Sequence, residues 1–458
     1  MKQIETLPYG KKILYALGQL GWSLGSFGVM NLLYYFYDSN SNDEGGRMFP
    51  VYLGSAAVLG IIAALSRVFD GITDPLIAGL SDRSQSSLGR RRTYMALGAL
   101  PFALLSLLIF LPPSSSASLN TLWLFVLTFL FYLFMTMYVT PFFALMSELG
   151  HSPDERLELS TMISVTWALG FMMGNGSYAF QGILEGAGLA PVRAFQTVLG
   201  IFALISALLM YLPVIFIDEN RYCEKHHSEE GSFKAVLSAF GNRDFLFFTL
   251  SDLTYFLALT FIQTGISFYV IQLLGLPKEN ATLIMSILFI LSFLFYVPVS
   301  LAAKKVGKKK LLSAAFILFI VSWVIVSFWG KLPLPPMVQA LIVAVLSALP
   351  LAIFGILPNA IVADIAEADG QETGNFKAAV FFGARTFMSK MGASITLLIF
   401  PLISHLGGEK GGSPTEGGIR LTTWTAILFL ILGLLLFSRY NEKRIMTLLE
   451  QEEAPTAP

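Results

Sequence analysis

Within the apolar stretch Ser66-Arg67-Val68-Phe69-Asp70-Gly71-Ile72-Thr73-Asp74-Pro75, three charged side chains interrupt residues that otherwise suit a bilayer. Asp70 and Asp74 are four apart, so on a helix both carboxylates leave from one face, with Thr73 beside them. A charge at the centre of a membrane helix costs about 2.5–3.5 kcal/mol even on a lenient insertion scale. Two like charges one turn apart add repulsion. Something must offset that cost. A hard cation such as Na⁺, which oxygen ligands suit, or a proton held by one carboxylate would do so. The structural alternative pairs Arg67 with Asp70 as a bridge and leaves Asp74 near the cytoplasmic end, within reach of water.

The elements that must carry this pair follow from composition. Of 458 residues, 55% are hydrophobic and 13% charged, with a mean hydropathy of +0.68. A soluble chain carries about 25% charge, and here the apolar residues come in runs of about 20, long enough to span a bilayer. An all-α polytopic membrane protein is expected. Thirty basic and thirty acidic residues cancel, so no nucleic-acid partner is expected. The single cysteine, Cys223, excludes an intramolecular disulfide and a cysteine-based zinc site. No nucleophile–base pattern, metal-ligand pattern or phosphate-binding glycine loop is visible, so neither an enzyme nor an ATP-driven transporter is expected, and no cofactor. Met1 to Gly10 has no signal-peptide core followed by a small-residue cleavage site, so the first apolar segment is expected to be a retained span.

Apolar runs against polar breaks give twelve spans, near 12–37, 49–80, 93–112, 121–149, 160–184, 194–217, 244–275, 281–303, 311–330, 337–364, 377–405 and 420–440. One side of this alternation holds 21 lysines and arginines and the other 6. Arg67, Arg385 and Lys390 remain inside spans. The positive-inside rule then places both termini in the cytoplasm, in a multi-pass protein of the inner membrane. The longest cytoplasmic polar stretch, 218–243, divides an N-terminal half (1–217) from a C-terminal half (244–440), with a tail at 441–458. Ser81 to Arg92 after span two and Lys304 to Lys310 after span eight form a weak internal repeat, both short, basic and glycine-containing. Two six-helix halves are the architecture of major facilitator transporters. A non-transporting sensor on the same scaffold would call for a sizeable output domain, and the central loop and tail are both short.

Asp70-Gly-Ile-Thr-Asp74-Pro75, followed by Leu-Ile-Ala-Gly79, Ser81-Asp82-Arg83 and Leu88-Gly89-Arg90-Arg91-Arg92, resembles the glycoside–pentoside–hexuronide:cation symporters, the melibiose-permease-like family of the major facilitator superfamily. The resemblance continues in Tyr138-Val-Thr-Pro141-Phe-Phe-Ala, Asp154-Glu155-Arg156, Leu357-Pro358 with Ala363-Asp364-Ile365, and Phe387-Met-Ser-Lys390-Met-Gly392. It therefore covers both halves. It implies a cation-coupled symporter, driven by Na⁺ or H⁺ through alternating access, with a sugar or glycoside as the small-molecule substrate. Carried over position by position, it puts the cation on Asp70, Thr73 and Asp74, with a hydroxyl from Thr136 in span four. It makes Lys390 in span eleven the counter-charge to the span-two carboxylates, with Arg67 in the same network. Read alone, Thr136 is equally a threonine bonded to its own helix, and Lys390 a lysine snorkelling to an interface.

The departures bear on the substrate. Sugar-transporting members carry acidic residues in helices one and four; the corresponding positions here fall near Ser23 and at Val139, and the aromatic position after the span-four proline is Phe143. Trp22 or Tyr138 would then have to line the substrate cavity. The threonine form of the motif also occurs in sodium-dependent lysophospholipid symporters, which makes an amphiphilic substrate the alternative. At the cytoplasmic ends, Arg90, Arg91 and Arg92 are expected to pair with Asp82, or with Glu148 and Asp154, as a gate that also involves Arg83 and Arg156. Asp364, Glu367 and Arg385 are expected to form the matching latch in the second half. The glycines at 18, 21, 25 and 28 form a stripe for close helix packing.

Overall fold

The computed structural model describes residues 5–37, 56–113, 116–223, 238–277, 279–404, 406 and 414–453. Among these residues there are twelve long helices and no strand. The N-terminal half contributes α1 (Tyr9–Phe27, continued by a π turn, Gly28–Leu32, and by Leu33–Tyr37), α2 (Ala56–Arg83), α3 (Arg90–Leu108), α4 (Ala117–Leu149), α5 (Pro153–Asn175) and α6 (Pro191–Phe216). The C-terminal half contributes α7 (Arg243–Phe268, continued by a π turn, Tyr269–Leu273), α8 (Glu279–Val306), α9 (Lys308–Ser327), α10 (Pro336–Thr373), α11 (Ala378–Ser404) and α12 (Glu416–Ser438). A short helix, Glu219–Tyr222, follows α6, and α13 (Glu442–Glu453) follows α12.

Eight of the long helices, α4 to α10 and α12, are long and apolar enough over described residues to cross a membrane. Their lipid-facing sides read directly from exposure. On α2, Ile61, Leu65, Val68, Ile72, Leu76 and Leu80 recur every three or four residues and are all exposed, although all are large and apolar. In water such a stripe would be an aggregation surface; against lipid it is a solvated face. Two helix edges differ from the spans expected. α5 starts at Pro153, seven residues before the apolar run, because Ser152 Oγ accepts a bond from the Glu155 N–H at 3.2 Å and two acids occupy the first turn. α10 runs nine residues past its apolar run and stops only where Gly374 takes φ +72°.

The chain forms two compact units. The first is Met1–His151 with Met162–Ala235 and Lys377–Gly383; the second is Ser152–Thr161 with Val236–Phe376 and Ala384–Pro458. The first turns of α5 and α11 are thus each assigned to the unit of the other half. Within the first unit, the glycine stripe of α1 lets α6 approach closely. A Cβ on Gly21 would lie 2.9 Å from the Ser206 carbonyl oxygen, and one on Gly25 2.5 Å from Ser206 Oγ. Ser206 Oγ then bonds the Gly21 carbonyl at 2.6 Å.

Candidate functional site

The face of α2 opposite its lipid stripe is closed off from solvent. Asp70 is 0% exposed, Asp74 2% and Thr136 of α4 1%. Thr136 Oγ1 lies 3.0 Å from Asp70 Oδ1 and 3.2 Å from Asp74 Oδ1, so one hydroxyl spans both carboxylates. Its single proton serves one of them at a time. Thr73, also buried, bonds back to the Asp70 carbonyl at 3.0 Å, which holds its oxygen on the carboxylate side of the helix. Pro75 follows Asp74 inside the helix and has no N–H, so the Gly71 carbonyl loses its helical donor one turn below. Carboxylate, hydroxyl and carbonyl oxygens therefore converge in a site closed to water. Among the described residues no group of three or more His, Cys, Asp or Glu is placed to hold a metal ion. The Asp70–Asp74 donor set, two carboxylates with neutral oxygens, fits a hard monovalent cation or a proton. Within the same unit, the start of α11 passes close by: a Cβ on Gly383 would lie 3.1 Å from Ala78 Cβ and 3.4 Å from the Asp74 carbonyl oxygen.

The other expected members of this network are placed as follows. The side chain of Arg67 lies outside the described residues. Lys390 is half-buried on α11, in the second unit. Of the residues expected to line a substrate cavity, two are corrected. Ser23 is buried against α5, where a Cβ on Gly170 would collide with its hydroxyl, and it bonds the Leu20 carbonyl at 3.1 Å. Tyr138 is fully buried; its hydroxyl donates to the Met210 carbonyl at 3.0 Å and its ring stacks on Phe142, so it fastens α4 to α6. Trp22 is half-buried, and its indole N–H has no hydrogen-bond partner. Phe143 is half-buried and stacks on Phe382 at 5.7 Å.

The charged residues at the α2–α3 turn do come together. Arg91, fully buried, pairs with Asp82 and with Glu148 (2.7 Å), and bonds Ser81 at 2.9 Å. Arg90 adds a second bond to Glu148, at 2.9 Å. Arg83 is exposed at the end of α2. Asp154, an expected alternative partner, faces Lys304 at 3.8 Å instead. In the second unit, Asp364 is shared between Arg156 (2.8 Å) and Lys308. Arg385 is a correction: it pairs with buried Asp252 of α7 at 2.7 Å and bonds Asn359 at 2.7 Å, away from the Asp364 cluster.

Four residues that sequence reasoning passed over complete these clusters: Asp252, Lys308, Glu219 and Glu442. Glu219 accepts the backbone N–H groups of Arg91 (3.0 Å) and Arg92 (3.2 Å). Burial raises its carboxyl above the usual range and neighbouring Glu148 adds to the shift, while Arg91 and the two backbone bonds oppose it. Glu442 accepts the corresponding groups of Lys308 (2.7 Å) and Lys309 (3.0 Å). The signal for Asp252 was an acid inside an apolar helix, which demands a cation inside another; Arg385 was that cation.

Comparison with known proteins agrees with this architecture. The fold matches the crystal structure of the major facilitator transporter FucP in the outward conformation, with a TM-score of 0.69 and 15% identity over 95% of this chain and 99% of that one. It also matches the proton:xylose symporter XylE, at 0.65 and 15% over 97% and 98%. In sequence, the chain is 30% identical over 217 residues to the putative glycoside/cation symporter YagG of Escherichia coli, a match spanning 46% of this chain and 43% of that relative. It is 22% identical to the isoprimeverose transporter of Lactiplantibacillus pentosus over 71% and 65% of the two chains. It is 21% identical to the mouse sodium-dependent lysophosphatidylcholine symporter 1 over 87% and 83%. The family model for MFS/sugar transport proteins matches residues 14–443, and the chain belongs to that family of membrane transporters, not to the enzymes.

Proposed function

We propose that this transporter is a symporter that accumulates a sugar or glycoside by alternating access, driven by Na⁺ or H⁺ held at Asp70 and Asp74. The observation that carries the reading is the single Thr136 hydroxyl within 3.0 and 3.2 Å of two buried carboxylates. A like-charged pair in this setting is stable only when a cation or proton offsets it. In this reading Arg67 and Lys390 balance the carboxylates when the cation has left, and Trp22 and Phe143 face the substrate. The Arg91 and Asp364 clusters form the gate on the cytoplasmic side of an inner membrane, where both termini lie. The printed functions of the E. coli and L. pentosus relatives support the coupling and the substrate class.

The test is uptake of labelled glycosides by proteoliposomes under imposed Na⁺ or H⁺ gradients. Wild type accumulates substrate under one of them. Asp74→Asn, which keeps the shape and removes a charge, loses gradient-driven accumulation while still inserting in the membrane. Full accumulation by that variant would sink the proposal. A second reading, with a lysophospholipid as cargo, draws on the mouse relative and on the absence of acids at the Ser23 and Val139 positions. Lysophosphatidylcholine accumulation in the same assay, with none of the glycosides, would replace the first reading with the second.

A further inference from the structure

Within the second unit, α7, α8, α9 and α10 enclose a cavity with about 590 Å³ of unfilled space, its open mouth included. Its walls are largely apolar and unusually aromatic: Tyr269, Phe289, Phe319, Trp323 and Trp329 all line it. No lining residue is charged. Gln263, exposed on α7, and Ser347 of α10 add the few polar groups. Trp329, 1% exposed, has its indole N–H without a hydrogen-bond partner, and a buried donor left that way costs about 1–3 kcal/mol. The π turn at the end of α7 places Tyr269 in the wall, and such turns are frequent at functional sites.

These features select among occupants. A sugar ring needs a ring of donors and acceptors that these walls lack. A charged group would find no counter-charge. A flat apolar ring gains from edge and face contacts with aromatic side chains, and one acceptor on it would satisfy the Trp329 N–H. We propose that this cavity is a subsite for a neutral, planar, apolar group of the transported molecule, such as the aryl aglycone of a glycoside, with Trp329 donating to an acceptor on that group. This deepens the glycoside reading above and rests on it for the identity of the cargo, but the cavity can be tested without it.

The probe is 4-nitrobenzyl alcohol, neutral and planar, whose nitro group quenches indole fluorescence. Titrated into the purified full-length protein, it is expected to quench saturably. Ala344→Leu, which fills the cavity from a fully buried position, should weaken this binding about ten-fold or more. Trp329→Phe keeps most of the ring and removes the donor, and should weaken it about three- to ten-fold, the worth of one hydrogen bond. A 4-nitrophenyl galactoside or xyloside should displace the probe at lower concentration than its methyl counterpart, and Ala344→Leu should erase that preference. Unsaturable quenching, or equal binding by wild type and both variants, would overturn the proposal. So would displacement by lysophosphatidylcholine with no displacement by aryl glycosides, which would assign the cavity to an alkyl chain. Probe binding lost in the variants, combined with no gradient-driven glycoside uptake, would keep the cavity and remove the glycoside symport. Gradient-driven uptake with no probe binding would do the reverse.

Discussion

Gly89 and Gly307 both sit at positive φ, +117° and +92°, just before three consecutive cations that open α3 and α9. In each case the backbone N–H groups of the first helical turn are satisfied by a glutamate that follows the last long helix of that half, Glu219 or Glu442. In each case the second or first cation reaches the acid at the end of the fourth helix of its half, Glu148 or Asp364. The finishing differs. Arg91, with a planar fork of five donors, bridges Asp82 and Glu148 and bonds Ser81 as well. Lys308, a point charge, serves one oxygen of Asp364 and the Pro153 carbonyl, and the other oxygen goes to Arg156. The comparison teaches that a guanidinium closes its cluster within its own half, whereas an ammonium leaves an acceptor for a residue of the other half to fill.

That contrast can be broken in three ways. The largest effect is expected from Asp364→Asn, at about 3–5 kcal/mol, because two buried cations lose their carboxylate together. Glu148→Gln should cost about 1–3 kcal/mol, since Arg91 keeps Asp82. Thermal unfolding in detergent ranks the two, and the opposite order would show that the Arg91 cluster is not the more redundant. Next, Arg91→Lys should cost about 1–3 kcal/mol by abandoning one of its two acids, and Lys308→Arg should cost less. Comparable losses at the two positions would mean that side-chain volume, not donor number, sets the difference. The smallest effect is expected at the glycines. Alanine in a left-handed conformation costs about 1–2 kcal/mol, and Gly89→Ala should exceed Gly307→Ala because its Cβ would sit 2.3 Å from Glu219 Oε2 rather than 3.1 Å from Glu442 Oε2. The excess should vanish in a Glu219→Ala background.

What the chain revealed in advance followed from local periodicity. Asp70, Thr73 and Asp74 share a helix face by spacing alone, and the basic turns were visible as charge against apolar runs. Thr136 lies 62 residues from Asp74 in sequence, and no periodicity links them; only the resemblance to cation symporters pointed to it. Ser23 and Tyr138 misled because a polar group in a span reads as cavity-lining, while in lipid a hydroxyl is as readily spent on a backbone carbonyl across a helix pair. The glutamate caps were legible as a repeat, Asp218-Glu219 and Asn441-Glu442, each just past the last span of its half. Finding it required aligning the ends of the halves as well as their loops.

The π turns at Gly28–Leu32 and Tyr269–Leu273 have a consequence for how length changes in these helices would act. Each holds a backbone residue more than an α turn needs, near the far end of the first helix of its half. Deleting one residue there would let the segment close into ordinary α geometry, shortening the helix by only about 1.5 Å while swinging everything beyond it through about 100°. In a span, then, the chain carries two places where a lost codon is felt as a rotation and not as a break, and in α7 the side chain that such a rotation would carry out of position is the cavity's own Tyr269.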